Sequence, residues 1–492
     1  MKKNIRVCNA LIISLAAIMP MACNKLVSIS DPVDQVTTNQ VFSTNELANV
    51  ALNGVYYSLI AGAWGTGFGT GNTTLYGGLS ADELVVKELA TNLRLINTNH
   101  IIIALNNSAN GGGTAPTDNI WSSAYEVIYK ANAVMEGITA STSLQLTDSA
   151  RKQFIAEAKC LRAFCYFYLT NFYGDVPLVL NTNYFDNVGT TRSSQAKVYQ
   201  QIIMDLKDAK AILPDNYAAG GGNRVRVSKW MATALLARTY LYMQDYNNAA
   251  AEATELINNT NLFNLETDLN NVFLINSREA IWQLNHIRGA GDPNDTPDGM
   301  LFLPMNGTIN TGAVSYAISS QLLNAFESDD QRKQKWMDST TNLNYPGLDY
   351  FVCKYKIGGY NRTSDPPIEY YMVFRLAEQY LIRAEAEANG AGGGIDAAVD
   401  DINIIRTRAG LPGIPDGLSQ EELLTAVAKE WQIEFFCEWG HRWFNLKRTG
   451  QAAGVLSAIP LKQPWWGDYQ LLYPIPPSDI QKGRNLTQNQ GY

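Results

Sequence analysis

The sequence predicts a mainly α-helical protein of helical hairpins interrupted by two long inserts. Three observations predict it. Helical periodicity dominates from Asp118 onward, two later segments repeat one helix–turn–helix design, and the stretches 61–117 and 259–370 lack helical rhythm. With 46% hydrophobic and 17% charged residues, the chain can bury enough apolar surface to offset the entropy of ordering it, so a folded protein is expected. Its 492 residues exceed the size at which one simple core stops growing, so either two domains or one helical array with a large insert is expected.

The N-terminus places Lys2, Lys3 and Arg6 before an apolar run from Ala10 to Met19, the layout of a secretory signal over residues 1–22. That run is too short to span a bilayer, and no later stretch approaches the roughly 18 apolar residues a spanning helix needs. The Ala22–Cys23 junction resembles a bacterial lipobox, which makes Cys23 the expected lipid anchor, although Pro20 and Met21 depart from the usual pattern. Cys8 has no apolar run before it and does not compete. Cleavage before Cys23 removes three positive charges and no acids, which takes the formal charge from −8 to −11. A phosphate backbone selects basic surfaces, so nucleic acid is excluded as a partner class.

In the first insert, GAWGTGFGTGNTTLYGG at 62–78 carries repeated glycines that permit tight turns, and the interleaved Trp64, Phe68 and Tyr76 argue for an ordered, functional loop. The helices follow. In 160–176, Leu161, Phe164, Cys165, Tyr168 and Phe172 keep the spacing of a buried helical face; Gly174 and Pro177 predict a stop near Tyr173. Cys160 and Cys165 fall on diverging faces of that helix, so buried thiols are expected there, not a disulfide. The segments beginning at Met231 and Leu376 each read as an Ala-rich helix, a turn, and an Ala-Ala pair opening a second helix. This resembles the tetratricopeptide hairpin, with further pairs expected at 118–172 and 194–258. Within the second insert, EAIWQLNH at 279–286 and LDYFVCKYKI at 348–357 read as strands.

Four segments in one order carry a wider resemblance: WSSAYEVIYKAN at 121–132, RAFCYFYLTNFYGDVPLV at 162–179, EWQIEFFCEWGHRWFNLKR at 430–448, and LYPIPPSDIQKGRNLTQNQGY at 472–492. The chain resembles the RagB/SusD family of outer-membrane glycan-capture lipoproteins. The resemblance implies a superhelical scaffold of tetratricopeptide-like helix pairs with a looped, ligand-binding half, over 23–492 as a single domain. It further implies oligosaccharide or polysaccharide as ligand, and a SusC-like TonB-dependent transporter as partner in the outer membrane. Peptide binding by the same fold, or a scaffold that only stabilises the transporter, are the alternatives. Three positions depart from the family pattern: Trp439 is an extra residue between Glu438 and Gly440, Asn445 stands where Asp is usual, and Trp431 where Arg is usual. A rearranged helix end is predicted there.

An enzyme would need a site that the sequence does not offer. Glu430, Glu434 and Glu438 are spaced to share one helical face near Arg442 and Lys447, which reads as structural ion pairing, because glycosidase carboxylates face each other across a cleft. His100, His286 and His441 are scattered without metal-ligand spacing, and His441 reads as a packed structural residue. DPNDTPDG at 292–299 lacks the spacing of a calcium loop and reads as a solvated turn. No cofactor is expected. Glycan binding asks for an aromatic face with polar groups at its rim, and 61–117 supplies these in Trp64, Tyr76, Asp82, Asn92, Arg94 and Asn106. Trp64 and Tyr76 are the expected stacking residues, with Asp82, Arg94 and Asn106 as polar partners; Trp282 and Tyr316 are the second choice. Trp465 and Trp466 read as packing or interface residues.

Overall fold

A computed structural model of the chain describes residues 38–60, 67–87, 91–102, 116–286, 291–305, 313–341 and 347–492. The signal segment, Cys23, Trp64 and Asn106 lie outside the described residues, as does the side chain of Asn92. The helices and strands that position the site are, in order, α1 (Asn45–Ile60), α2 (Thr73–Ser80), β1 (Leu84–Val86), α3 (Thr91–Asn97), α4 (Pro116–Ala140), α5 (Asp148–Tyr173), α6 (Gln195–Lys210), α7 (Lys229–Tyr242) and α8 (Tyr246–Ile257). There follow β2 (Ala280–Leu284), α9 (Pro297–Phe302), β3 (Tyr316–Ile318), α10 (Gln331–Trp336), β4 (Met337–Thr341), β5 (Leu348–Val352), β6 (Tyr371–Arg375), α11 (Leu376–Ala388), α12 (Gly394–Arg408), α13 (Gln420–Glu434) and α14 (His441–Arg448). No described helix is long and apolar enough to cross a membrane.

Helix α5 is the axis of the scaffold. The Thr147 hydroxyl accepts from the Ala150 amide at its start, and Gly174, at φ 75°, ends it after Tyr173 as the sequence predicts. Its apolar spacing predicts one buried face, but every residue from Cys160 to Tyr173 is buried. Neighbouring elements cover it on all sides, so its polar members must be satisfied internally. The Arg162 guanidinium, for instance, donates to Asp205 at 2.9 and 2.7 Å and to Asn132 at 2.8 Å. Cys160 and Cys165 are buried free thiols.

The expected hairpins are present. Helix α4 packs on α5, α7 on α8, and α11 on α12, while α6 packs on both α5 and α7. The long insert leaves the scaffold after Ile257 and returns at Leu376, so that α8 and α11 lie against each other although the insert separates them in the chain. Inside it, β2 pairs antiparallel with β6 and β4 with β5, and β1 of the first insert pairs with β3 of the second. The two inserts therefore form one looped half. Both contain short helices that the sequence does not announce.

Glycine chemistry explains the first of these. A Cβ on Gly77 would stand 2.4 Å from the Cα of Gly440, and one on Gly69 2.4 Å from the Leu59 carbonyl oxygen. These glycines let buried backbone approach buried backbone instead of forming surface turns, and the segment folds as an internal helix.

Glu430, Glu434 and Glu438 are structural, but their arrangement differs from the predicted stripe. Helix α13 ends at Glu434, and none of the three pairs with Arg442 or Lys447. Instead Arg375, at the end of β6, donates to Glu434 at 2.5 Å and to Glu438 at 2.9 and 2.8 Å. Arg332 bridges Asp330 at 2.7 Å, Glu430 at 2.5 Å and Glu434 at 2.9 Å, and Lys354 reaches Glu438 at 2.5 Å. Arg408 joins Glu279 and Glu434. Burial raises the Glu434 carboxyl, but Arg408, Arg375 and Arg332 outweigh it and hold the group well below the ordinary carboxylate range.

The three departures from the family pattern are absorbed locally. The extra residue is accommodated by positive φ at Cys437, Trp439 and Gly440, and Trp439 is buried with its indole N–H on the Met372 carbonyl at 2.7 Å. Trp431 donates to Glu385 at 3.0 Å, and Asn445 accepts from Arg448 at 2.7 Å. His441 is buried against Trp431 and Phe435, as its setting predicts. The 292–299 segment is not a solvated turn: Asn294, Asp295, Thr296 and Asp298 are buried, with the Thr296 hydroxyl capping α9.

Candidate functional site

The predicted binding residues separate into three groups. Tyr76 is buried within α2, where its carbonyl accepts from the Tyr473 hydroxyl at 3.2 Å, so it is a core residue and offers no ring to a ligand. Asp82 is buried as well and forms a two-pronged pair with Arg442 at 2.8 and 2.7 Å, which occupies both its oxygens. Neighbouring Glu83 accepts the Cys437 amide at 3.0 Å, and burial pushes its carboxyl up to about 8, so both acids serve internal packing. Of the second choices, Trp282 is fully buried, while Tyr316 is partly exposed on β3. Among the described candidates only Arg94, on α3, is exposed.

A different aromatic takes the exposed role. Trp466 is 58% exposed, and its ring lies 4.3 Å from that of His100 at an angle of 38°. The His100 Nε2 bonds the Pro464 carbonyl at 2.8 Å. Gln470 accepts the Trp466 amide at 2.6 Å and donates to the Asn99 carbonyl at 2.8 Å, so the tryptophan turn and the end of α3 are tied together from both sides. Trp465, by contrast, packs partly buried against the core.

Beneath this platform sits Lys462, fully buried. Its ammonium donates to the carbonyls of Leu79, Ser80 and Asn97 at 2.9, 3.0 and 2.9 Å and to the Asn99 side chain at 2.8 Å. Three of these oxygens lie at the C-terminal ends of α2 and α3, where unpaired carbonyls and the helix dipole both favour a cation. Asn97 completes the knot by donating to Leu84 at 2.9 Å and accepting from the Val86 amide at 3.2 Å, which fixes α3 to β1. The platform is therefore preorganised, and Arg94 stands one turn before it. Its signal in the sequence was the tandem Trp within KQPWWGD, a polar turn context in which two large aromatics have little apolar cover. His100 gave no signal, because its partner lies 366 positions on.

Among the described residues no group of three or more His, Cys, Asp or Glu side chains could hold a metal ion. Of the buried acids near the platform, Asp82 is committed to Arg442, and one oxygen of Glu83 to the Cys437 amide. These features define a helix-hairpin scaffold protein that presents a rigid, solvent-facing aromatic platform at the junction of its looped half. The chain belongs to the SusD family, whose sequence model matches residues 180–492; a second family model, described as starch-binding associating with outer membrane, matches residues 81–241. It is 28% identical over 513 residues to SusD-like protein P2 of Formosa agariphila, covering 94% of this chain and 96% of that protein. Among solved structures, a SusD superfamily protein from Bacteroides vulgatus superposes with a TM-score of 0.75 at 21% identity, over 92% of this chain and all of that one. A laminarin-binding SusD-like protein gives 0.71 at 25% identity, over 92% and 100%.

Proposed function

We propose that the protein is a non-catalytic glycan-binding lipoprotein of the outer membrane, anchored through Cys23, which captures oligosaccharide for a SusC-like TonB-dependent transporter. The observation that carries the reading is the fixed, outward-facing Trp466–His100 pair. A sugar presents a flat C–H face to an aromatic ring and hydroxyls to its rim, and a tryptophan held in place loses little entropy when it stacks. The laminarin-binding relative and the starch-binding description of one matching family model support the same ligand class. Anchor and transporter rest on the sequence of residues 1–23 and on the family.

Trp466→Ala is expected to weaken oligosaccharide binding about tenfold to a hundredfold, the loss of one stacking contact, with an unchanged melting temperature. Titration calorimetry against laminari- and malto-oligosaccharides and a peptide panel checks it. Wild-type affinity in Trp466→Ala removes the platform from the site, and binding of peptides but no glycan replaces the glycan reading with peptide capture. Cys23→Ser is expected to move the protein from the membrane to the soluble fraction; retention in salt-washed membranes lacking the transporter would overturn the anchor.

A further inference from the structure

The scaffold half holds a cavity of 580 Å³ that plays no part in the platform, walled by the end of α5, the start of α6, the last turn of α14 and the C-terminal segment. Its size falls within the roughly 300–1,000 Å³ typical of small-molecule sites. Lys447 on α14 supplies the charge: its ammonium donates to the Asn171 carbonyl at 2.5 Å and forms no ion pair among the described residues. Among the described residues Arg192 is likewise hydrogen-bonded only to the carbonyls of Asp175, Thr487 and Gln488 and to the Asn489 side chain. Arg448 is neutralised by Glu385 on the far side, and Asp175 is exposed and accepts the Gln195 amide at 3.0 Å. Asp175 offsets part of the charge of Arg192, and with Lys447 the cavity lining keeps an excess of positive charge. Tyr199, Tyr242 and Leu472 are its apolar lining residues, and Gln195 and Gln490 line it with amides.

We propose that this cavity is a second binding site, separate from the platform, for a small carboxylate-bearing sugar such as a hexuronic acid, with the carboxylate on Lys447. Burial pushes the Lys447 ammonium down to about 7, so the empty site gives up its proton near neutrality and an anion restores it. The charged and titratable groups facing it are Asp175, Arg192, Arg448, Tyr199 and Tyr242. A uronic acid stays ionised across this range, so binding is strongest below about pH 7 and weakens as pH rises through it.

Calorimetry on the full chain with glucuronosyl-glucose, and with cellobiose as its uncharged counterpart, tests the site. One molecule of the acid is expected to bind, about tenfold more weakly at pH 8.5 than at pH 6, and cellobiose to bind at least about tenfold more weakly than the acid. Lys447→Met should weaken the acid about tenfold or more. Gln490→Glu, an exposed change at the cavity mouth that spares the packing, should weaken it by repulsion. Neutral oligosaccharide binding at Trp466 should be untouched by either variant, which separates failure here from failure of the platform. No binding of the acid, or acid binding indifferent to both variants, would overturn the proposal.

Discussion

Arg375→Met is expected to destabilise the protein by about 3–5 kcal/mol, because it leaves Glu434 and Glu438 buried with too little positive charge. Arg375 is 1% exposed; besides its carboxylate partners it donates to the Glu434 carbonyl at 2.8 Å and lies 3.8 Å over the Phe435 ring. Chemical denaturation at neutral pH measures the loss, and the paired replacement of Arg375 with Met and Glu438 with Gln should recover part of it, since the unpaired charge then goes with its partner. A single variant within about 1 kcal/mol of wild type would show that the cluster is solvated or rearranges freely.

Lys462→Met is expected to cost about 2–4 kcal/mol by removing the ammonium that four buried oxygens share, of which only the Leu79 and Ser80 carbonyls accept a second bond, from Asn97 and Asn99, among the described residues, and to abolish oligosaccharide binding along with it. The residue touches no ligand in the proposed site and acts as a positioning residue, by tying the end of α2 to the end of α3, which leads into Asn99 and His100. Hydrogen exchange separates this local effect from general unfolding: amides of α3 and of the tryptophan turn should lose protection, while those of α5 keep theirs. Unchanged protection around α3 with wild-type affinity would sink the positioning role.

The sequence determined the scaffold. Periodicity, Gly174 and the Ala-rich pairs placed α5, α7, α8, α11 and α12, because a helix is encoded by residues three and four apart and its ends by capping chemistry within a few positions. The strands β2 and β5 were legible for the same local reason, and the ordered motifs were enough for the family resemblance. The binding face was mostly not legible. Tyr76 and Asp82 have the residue types of a sugar site, yet Asp82 is claimed by Arg442, 360 positions away, and Tyr76 is covered because Gly77 allows α2 to press against Gly440. Composition cannot distinguish a ring that faces solvent from one that faces the core. Only the tertiary structure decided that Trp466 faces out, that Lys462 ties two helix ends beneath it, and that α5, α6, α14 and the C-terminus enclose a cavity around Lys447. Each of these depends on contacts between distant segments, whose pairing is set by the packing of the whole chain and leaves no local trace.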